Sequence, residues 1–110
     1  MFEVAVIIIN YNSSDYTLQG VNSIIEKTNS ELNYQIVIVD NASEMEDFLQ
    51  LQSNINSISF ENLSLHRSKI NTGFGGGNMF GVQFANAEYY AFVNNDSLFN
   101  NDCLSIIKTE

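Results

Sequence analysis

Glu88-Tyr89-Tyr90-Ala91-Phe92-Val93-Asn94-Asn95-Asp96-Ser97 decides how this chain is read. Tyr89–Val93 has the composition of a short buried strand, and it stops abruptly at three polar residues, Asn94, Asn95 and Asp96. A carboxylate just past the C-terminal end of a strand is where an open α/β sheet places ligand chemistry. The rest of the chain repeats the arrangement. Val4–Ile9 runs into Asn10-Tyr11-Asn12, Ile36–Val39 runs into Asp40-Asn41, and a weaker strand at Leu63–Arg67 is soon followed by Asn71-Thr72-Gly73. These polar ends recur at roughly thirty residues, the length of one βαβ unit. If the strands are parallel, all four ends share one rim of one sheet.

The segments between them read as helices. Ser13 or Ser14 can cap a helix whose apolar residues Leu18, Val21, Ile24 and Ile25 fall at helical spacing. Ser43 is the expected cap of a second, with Glu44, Glu46 and Asp47 favoured by its dipole and Phe48, Leu49 and Leu51 as its core face. Ile58 and Phe60 alternate with polar residues, which allows a short strand. Phe80, Phe84 and Ala87 predict a third helix reaching to about Ala87. A last helix, capped by Asn101 or Asp102, carries Leu104, Ile106 and Ile107, with Cys103 as a packed helix residue. The expected fold class is therefore α/β, Rossmann-like βα repeats with a mostly parallel sheet and right-handed crossovers.

Composition bounds the partners. The 110 residues are 45% hydrophobic, enough to build a core. Thirteen acidic against four basic residues give a net charge of −9, so nucleic acid and anionic membranes are poor partners. A phosphate-bearing ligand would bring a divalent cation, because the chain has little positive charge to offer. One cysteine excludes an internal disulfide and fits a reducing, cytoplasmic compartment. No apolar run has the length of a membrane span, and the N-terminus lacks the basic region of a signal peptide. The chain stops at Lys108-Thr109-Glu110 soon after an apolar helical pattern begins, which reads as a C-terminal truncation.

Each candidate residue has a plain structural alternative. The cluster Gly73-Phe74-Gly75-Gly76-Gly77-Asn78 starts like a dinucleotide fingerprint but has Asn where the third glycine belongs. No Gly-Lys-Ser/Thr follows, which excludes a Walker A loop. The preferred reading is a loop whose N–H groups and helix N-terminus face a phosphate or sugar, and the alternative is a flexible connection. Asp96 is a candidate metal ligand or a turn residue. Asp40 is an acceptor for a base N–H or a ribose hydroxyl, or a residue that caps the next helix. His66 has no nucleophile near it in sequence and reads as a half-buried strand histidine. Tyr11 lies on the rim, where it could stack on a base.

Four segments together, Val6–Asn12, Val37–Ser43, Asn71–Asn78 and Phe92–Ser97, resemble the family 2 glycosyltransferases, most of all the rhamnosyltransferase-like branch. The resemblance covers nearly the whole chain. It implies the N-terminal half of a GT-A fold, which binds a nucleotide-sugar and a divalent cation, Mg2+ or Mn2+. On that analogy Asn10, Tyr11 and Asn12 line the nucleotide pocket, and Asp40, Asn41 and Ser43 meet the base or ribose. Asn71, Gly73, Phe74 and Asn78 border the nucleotide and donor sugar. Asn94-Asn95-Asp96 takes the place of the family's Asp-x-Asp motif, with Asp96 as metal ligand and Asn94 departing from the pattern. The implied activity is metal-assisted, inverting transfer of a hexose-type sugar from a UDP- or dTDP-sugar to a glycan or lipid-linked acceptor in polysaccharide biosynthesis. The full-length enzyme is expected in the cytoplasm or at the inner face of the membrane. The catalytic base is expected beyond Glu110, so the fragment alone is expected to be inactive and to self-associate through surface left uncovered. The alternatives are a non-catalytic nucleotide-binding or regulatory α/β module and, ranked low, a nucleotidyltransferase, which would carry a Gly-rich basic loop where Asn10–Asp15 stands.

Overall fold

The computed structural model describes residues 1–29, 31–71 and 73–94. The element order is β1 (Phe2–Asn10), α1 (Ser14–Lys27), β2 (Tyr34–Asn41), α2 (Met45–Asn56), β3 (Leu63–Ser68), α3 (Gly73–Val82) and β4 (Ala87–Asn94). The strands form one sheet in the order β3-β2-β1-β4, and every pairing is parallel.

The central strands explain their own composition. Val4 to Ile8 and Ile36 to Val39 have no exposed surface. A strand covered on both faces needs apolar side chains on both, so the alternation of a half-exposed strand is absent. Val4, Val6, Ile8, Ile36 and Ile38 pack with Val21 and Ile24 of α1 and Leu51 and Ile55 of α2. The other face is covered by α3, whose Gly77 and Gly81 lie against Ile7, Ile9 and Val39.

Handedness accounts for this division. The steps β1-α1-β2 and β2-α2-β3 move one way across the sheet. The step β3-α3-β4 returns to the far side of β1. A right-handed crossover moving in the opposite direction must pass over the opposite face. The strand order therefore reverses between β1 and β4, the kind of switch point at whose C-terminal rim open α/β sheets bind their ligands. Asn94 stands beside Ile9 in the β1–β4 register, at that switch point.

Several expected details differ. Residues 57–62 are irregular and form no strand. Phe60 instead stacks on Tyr34 with centroids 4.9 Å apart, so its apolar surface is used against the end of β2. Leu49 is 52% exposed, because the buried line of α2 runs through Leu51 and Ile55. In α1 the deepest positions are Thr17, Val21 and Ile24, with Leu18 only partly covered. The third helix begins at Gly73 and ends at Val82, so the glycines form its first turns and Ala87 starts β4. Asn95, Asp96, Cys103 and the helix expected from Asn101 onward lie outside the described residues.

Candidate functional site at the sheet rim

The last residues of β1 and β2 turn from apolar to polar while still buried. Asn10 and Asp40 sit side by side in the register, and neither has exposed surface. Buried polar groups survive only when their hydrogen bonds are made internally, and here they are. Asn10 Nδ2 donates to Asp40 Oδ1 at 2.9 Å, to Asp47 Oδ2 at 3.0 Å and, at 3.3 Å, to Ser43 Oγ. Asn10 Oδ1 accepts from Thr17 Oγ1 at 2.6 Å. The second Asp40 oxygen accepts from the Ser43 N–H at 3.3 Å and from Arg67 Nη1 at 3.1 Å. Arg67 also donates to the Ser43 carbonyl at 2.9 Å and lies over the Phe48 ring at 4.6 Å. A guanidinium with fixed donors can neutralise the carboxylate and pin the loop beside it at once.

This network positions the loops above it. Ala42 has φ 63° and Asn12 φ 50°, left-handed conformations that non-glycine residues adopt only under constraint. The Asn12 N–H donates to Ser43 Oγ at 2.9 Å, and Asn12 Oδ1 accepts from the Glu44 N–H at 2.7 Å. The start of α1 is held by Asp47, which accepts from the Ser14 N–H at 3.0 Å. Burial raises the pKa of the Asp47 carboxyl, but hydrogen bonds from the Asn10 amide, the Ser14 N–H and hydroxyl and the Ser13 N–H outweigh it and hold the group below its usual value of 3.8. Tyr11 stays outside the network and is half exposed.

The opposite face of the rim belongs to α3. Asn41 Nδ2 donates to Asn71 Oδ1 at 3.2 Å and to the Gly73 carbonyl at 3.1 Å. Asn71 Oδ1 also accepts from the Gly73 N–H at 2.9 Å, and Gly73 has φ 76°. The Phe74 and Gly75 N–H groups fall in the first turn, before intrahelical acceptors begin. Asn78 is 9% exposed, and its Oδ1 has no partner among the described residues. The three helix N-termini differ in charge. The first turn of α1 holds Asp15 and that of α2 holds Glu46 and Asp47, whereas α3 has no acidic residue there. Carboxylates offset the positive end of a helix dipole, so α3 offers the anion-attracting terminus of the rim.

The family model described as glycosyl transferase family 2 matches residues 5–108. The chain belongs to glycosyl transferase family 2. Solved structures with the same fold include S. aureus TarS 1–349 in complex with UDP, 23% identical, with a TM-score of 0.80. That match covers 97% of this chain and 31% of the TarS chain. The mannosyltransferase PcManGT from Pyrobaculum calidifontis, in complex with GDP-Man and Mn2+, is 18% identical, with a TM-score of 0.85 over 97% of this chain and 32% of that one. The chain thus spans about a third of the length of these structures. No curated protein matches the sequence.

Within this family 2 chain, the residues expected at the nucleotide pocket separate into two groups. Asn10, Asp40 and Ser43 form the buried frame, joined by Asn41 on the α3 side. Tyr11, Asn12, Asn71 and Gly73 form the exposed lip. Phe74 and Asn78 belong to the first turns of α3, and Asn94 closes β4. Ser43 is not the cap of α2. That position is Glu44, without a side-chain cap bond, and the Ser43 hydroxyl serves the Asn10–Ser14 loop instead. Sequence reasoning did not single out Arg67, Asp47 or Thr17. Arg67 had a signal, being the only arginine of a strongly acidic chain. Asp47 was legible only as a dipole-favouring residue, because its partners come from thirty-odd residues upstream.

Proposed function

We propose that this chain is the donor-binding part of a glycosyltransferase that moves a sugar from a nucleotide diphosphate to a glycan or lipid-linked acceptor with inversion. The observation that carries this is the reversal of strand order between β1 and β4, which sets the start of the Asn10–Asn12 loop and the end of β4 side by side on one rim. Solved structures of the same fold that hold UDP, UDP-GlcNAc, or GDP-Man with Mn2+ support it.

In this reading Tyr11 gives the nucleobase a face to stack on, and the frame under it keeps water and slack out of the pocket. The N-terminus of α3 receives the diphosphate or the sugar, since among the described helices it alone carries no acidic residue in its first turn. Among the described residues no three His, Cys, Asp or Glu side chains could hold a metal ion together. A Mg2+ or Mn2+ ion needs few protein ligands when diphosphate oxygens and water complete its shell. Asp96 follows the last residue of β4, Asn94, by two positions in the sequence and is the residue assigned to supply one hard oxygen ligand. Such an ion, when bound, offsets the charge of the diphosphate leaving group. The base that deprotonates the acceptor hydroxyl is assigned to chain outside these residues, and the intact enzyme to the cytoplasm or the inner face of a membrane.

Calorimetric titration with UDP, with and without Mn2+, tests the reading. Metal-dependent binding that Asp96→Ala abolishes, while the circular dichroism melt is unchanged, is the expected result. Metal-independent binding would favour a non-catalytic nucleotide module. A cooperatively folded chain that ignores UDP, GDP and dTDP would overturn the proposal.

A further inference from the structure

We infer that Asp47 is a positioning residue for nucleotide binding, acting through the loop that presents Tyr11; the inference rests on the donor-binding reading above. A single carboxylate spans both ends of that loop. Its Oδ2 accepts from Asn10 Nδ2 at 3.0 Å, where β1 ends, and its Oδ1 accepts from the Ser14 N–H at 3.0 Å, where α1 starts. Both oxygens accept from protein donors at the two ends of the loop. Between the two anchors the chain passes through Asn12 at φ 50°, in the left-handed region that asparagine adopts more readily than other non-glycine residues. Asn12 is tied to the same end of α2 through Ser43 Oγ and the Glu44 N–H. The first residues of α2 thus form a template for the loop, and Tyr11, half exposed, is the side chain the template leaves pointing outward.

The chemistry of this contact makes Asp47→Asn a selective probe. An amide at position 47 can still accept from Ser14, so α1 keeps its cap. Its own NH2 then meets the NH2 of Asn10, two donors with no acceptor between them. The loop loses its Asn10 anchor while the sheet and both helices keep theirs.

The experiment is a double-mutant cycle on the full chain, with wild type, Asp47→Asn, Tyr11→Ala and the double variant titrated with UDP and separately with pyrophosphate, each with Mn2+. Tyr11→Ala and Asp47→Asn should each weaken UDP binding roughly tenfold, the scale of one base stacked on one aromatic ring. The double variant should bind UDP no more weakly than Tyr11→Ala alone, because Asp47 acts by way of Tyr11. Pyrophosphate binding, which has no base to stack, should be unchanged throughout. If Asp47→Asn fails to fold by circular dichroism, Asp47→Ala replaces it, removing the acceptor without opposing two donors. UDP losses that multiply, or a parallel loss of pyrophosphate binding, would show a general structural role and overturn the inference. So would a folded Asp47 variant with wild-type UDP affinity. Folded wild type that binds none of UDP, GDP and dTDP would instead overturn the donor-binding reading, and this inference with it.

Discussion

A carboxylate with no exposed surface is costly to bury unless charge and hydrogen bonds meet it. Asp40 meets both, through Arg67, Asn10 and the Ser43 N–H. His66 is the opposite case. It stacks on Phe84 with centroids 3.7 Å apart, and its Nε2 is buried without a partner among the described residues. Burial lowers its pKa from the usual 6.5, so the folded chain holds it neutral. The unfolded chain takes up that proton first as pH falls, and stability is lost from about pH 6.5 down to the lower folded value. The thermal midpoint should therefore fall between about pH 7.5 and about pH 5.5, and His66→Phe should remove that part of the slope while keeping the ring stack. An equal slope in the variant would assign the effect to other groups. At this scale the sequence disclosed residue types but not their partners. Asp40 is separated from Arg67 by 27 positions, and nothing local to either indicates the pairing.

Helix α3 shows how an element can be read correctly in composition and wrongly in shape. A run of glycines suggests a loop, since glycine costs a helix about 1 kcal/mol against alanine. Here close packing compensates. A Cβ at Gly81 would stand 2.7 Å from Ile7 Cγ2 and 3.0 Å from Val39 Cγ2, both branches of stiff side chains. At Gly77 it would stand 2.9 Å from Ile9 Cδ1, the movable end of its side chain. At Gly75 nothing lies within 4 Å. Gly81→Ala should thus destabilise by about 2 kcal/mol, as overpacked core sites do, and Gly77→Ala by less. Gly75→Ala should stabilise by roughly 0.5–1 kcal/mol. Urea denaturation of the three variants checks the order, and a stable Gly81→Ala protein would refute the packing argument.

Among the described residues the sheet is unevenly covered. Helices α1 and α2 cover one face, while α3 lies over β1, β2 and β3 on the other. Strand β4 pairs only with β1 among the described residues, and Tyr90 and Phe92 are 40% and 49% exposed. An unpaired strand edge carrying exposed aromatic residues invites a further strand or a second copy. The chain should self-associate as its concentration rises, and the pair Tyr90→Lys and Phe92→Lys should shift it to monomer in sedimentation velocity. A wild-type chain that stays monomeric at high concentration would refute this.

The α/β class, the parallel sheet and the common rim were legible in the sequence, because each rests on local signals. A doubly covered strand must be apolar throughout, a helix against a sheet must be apolar at helical spacing, and polar residues must follow where strands end. The same local signals put Asn10 and Asp40 at strand ends without revealing that they, with Ser43, are a buried frame and Tyr11 the exposed lip. Only the tertiary structure decided that, since burial depends on what crosses above a residue. It also decided that a glycine run is a helix and that Asp47 and Arg67 hold the rim, because those outcomes depend on contacts between residues far apart in the chain.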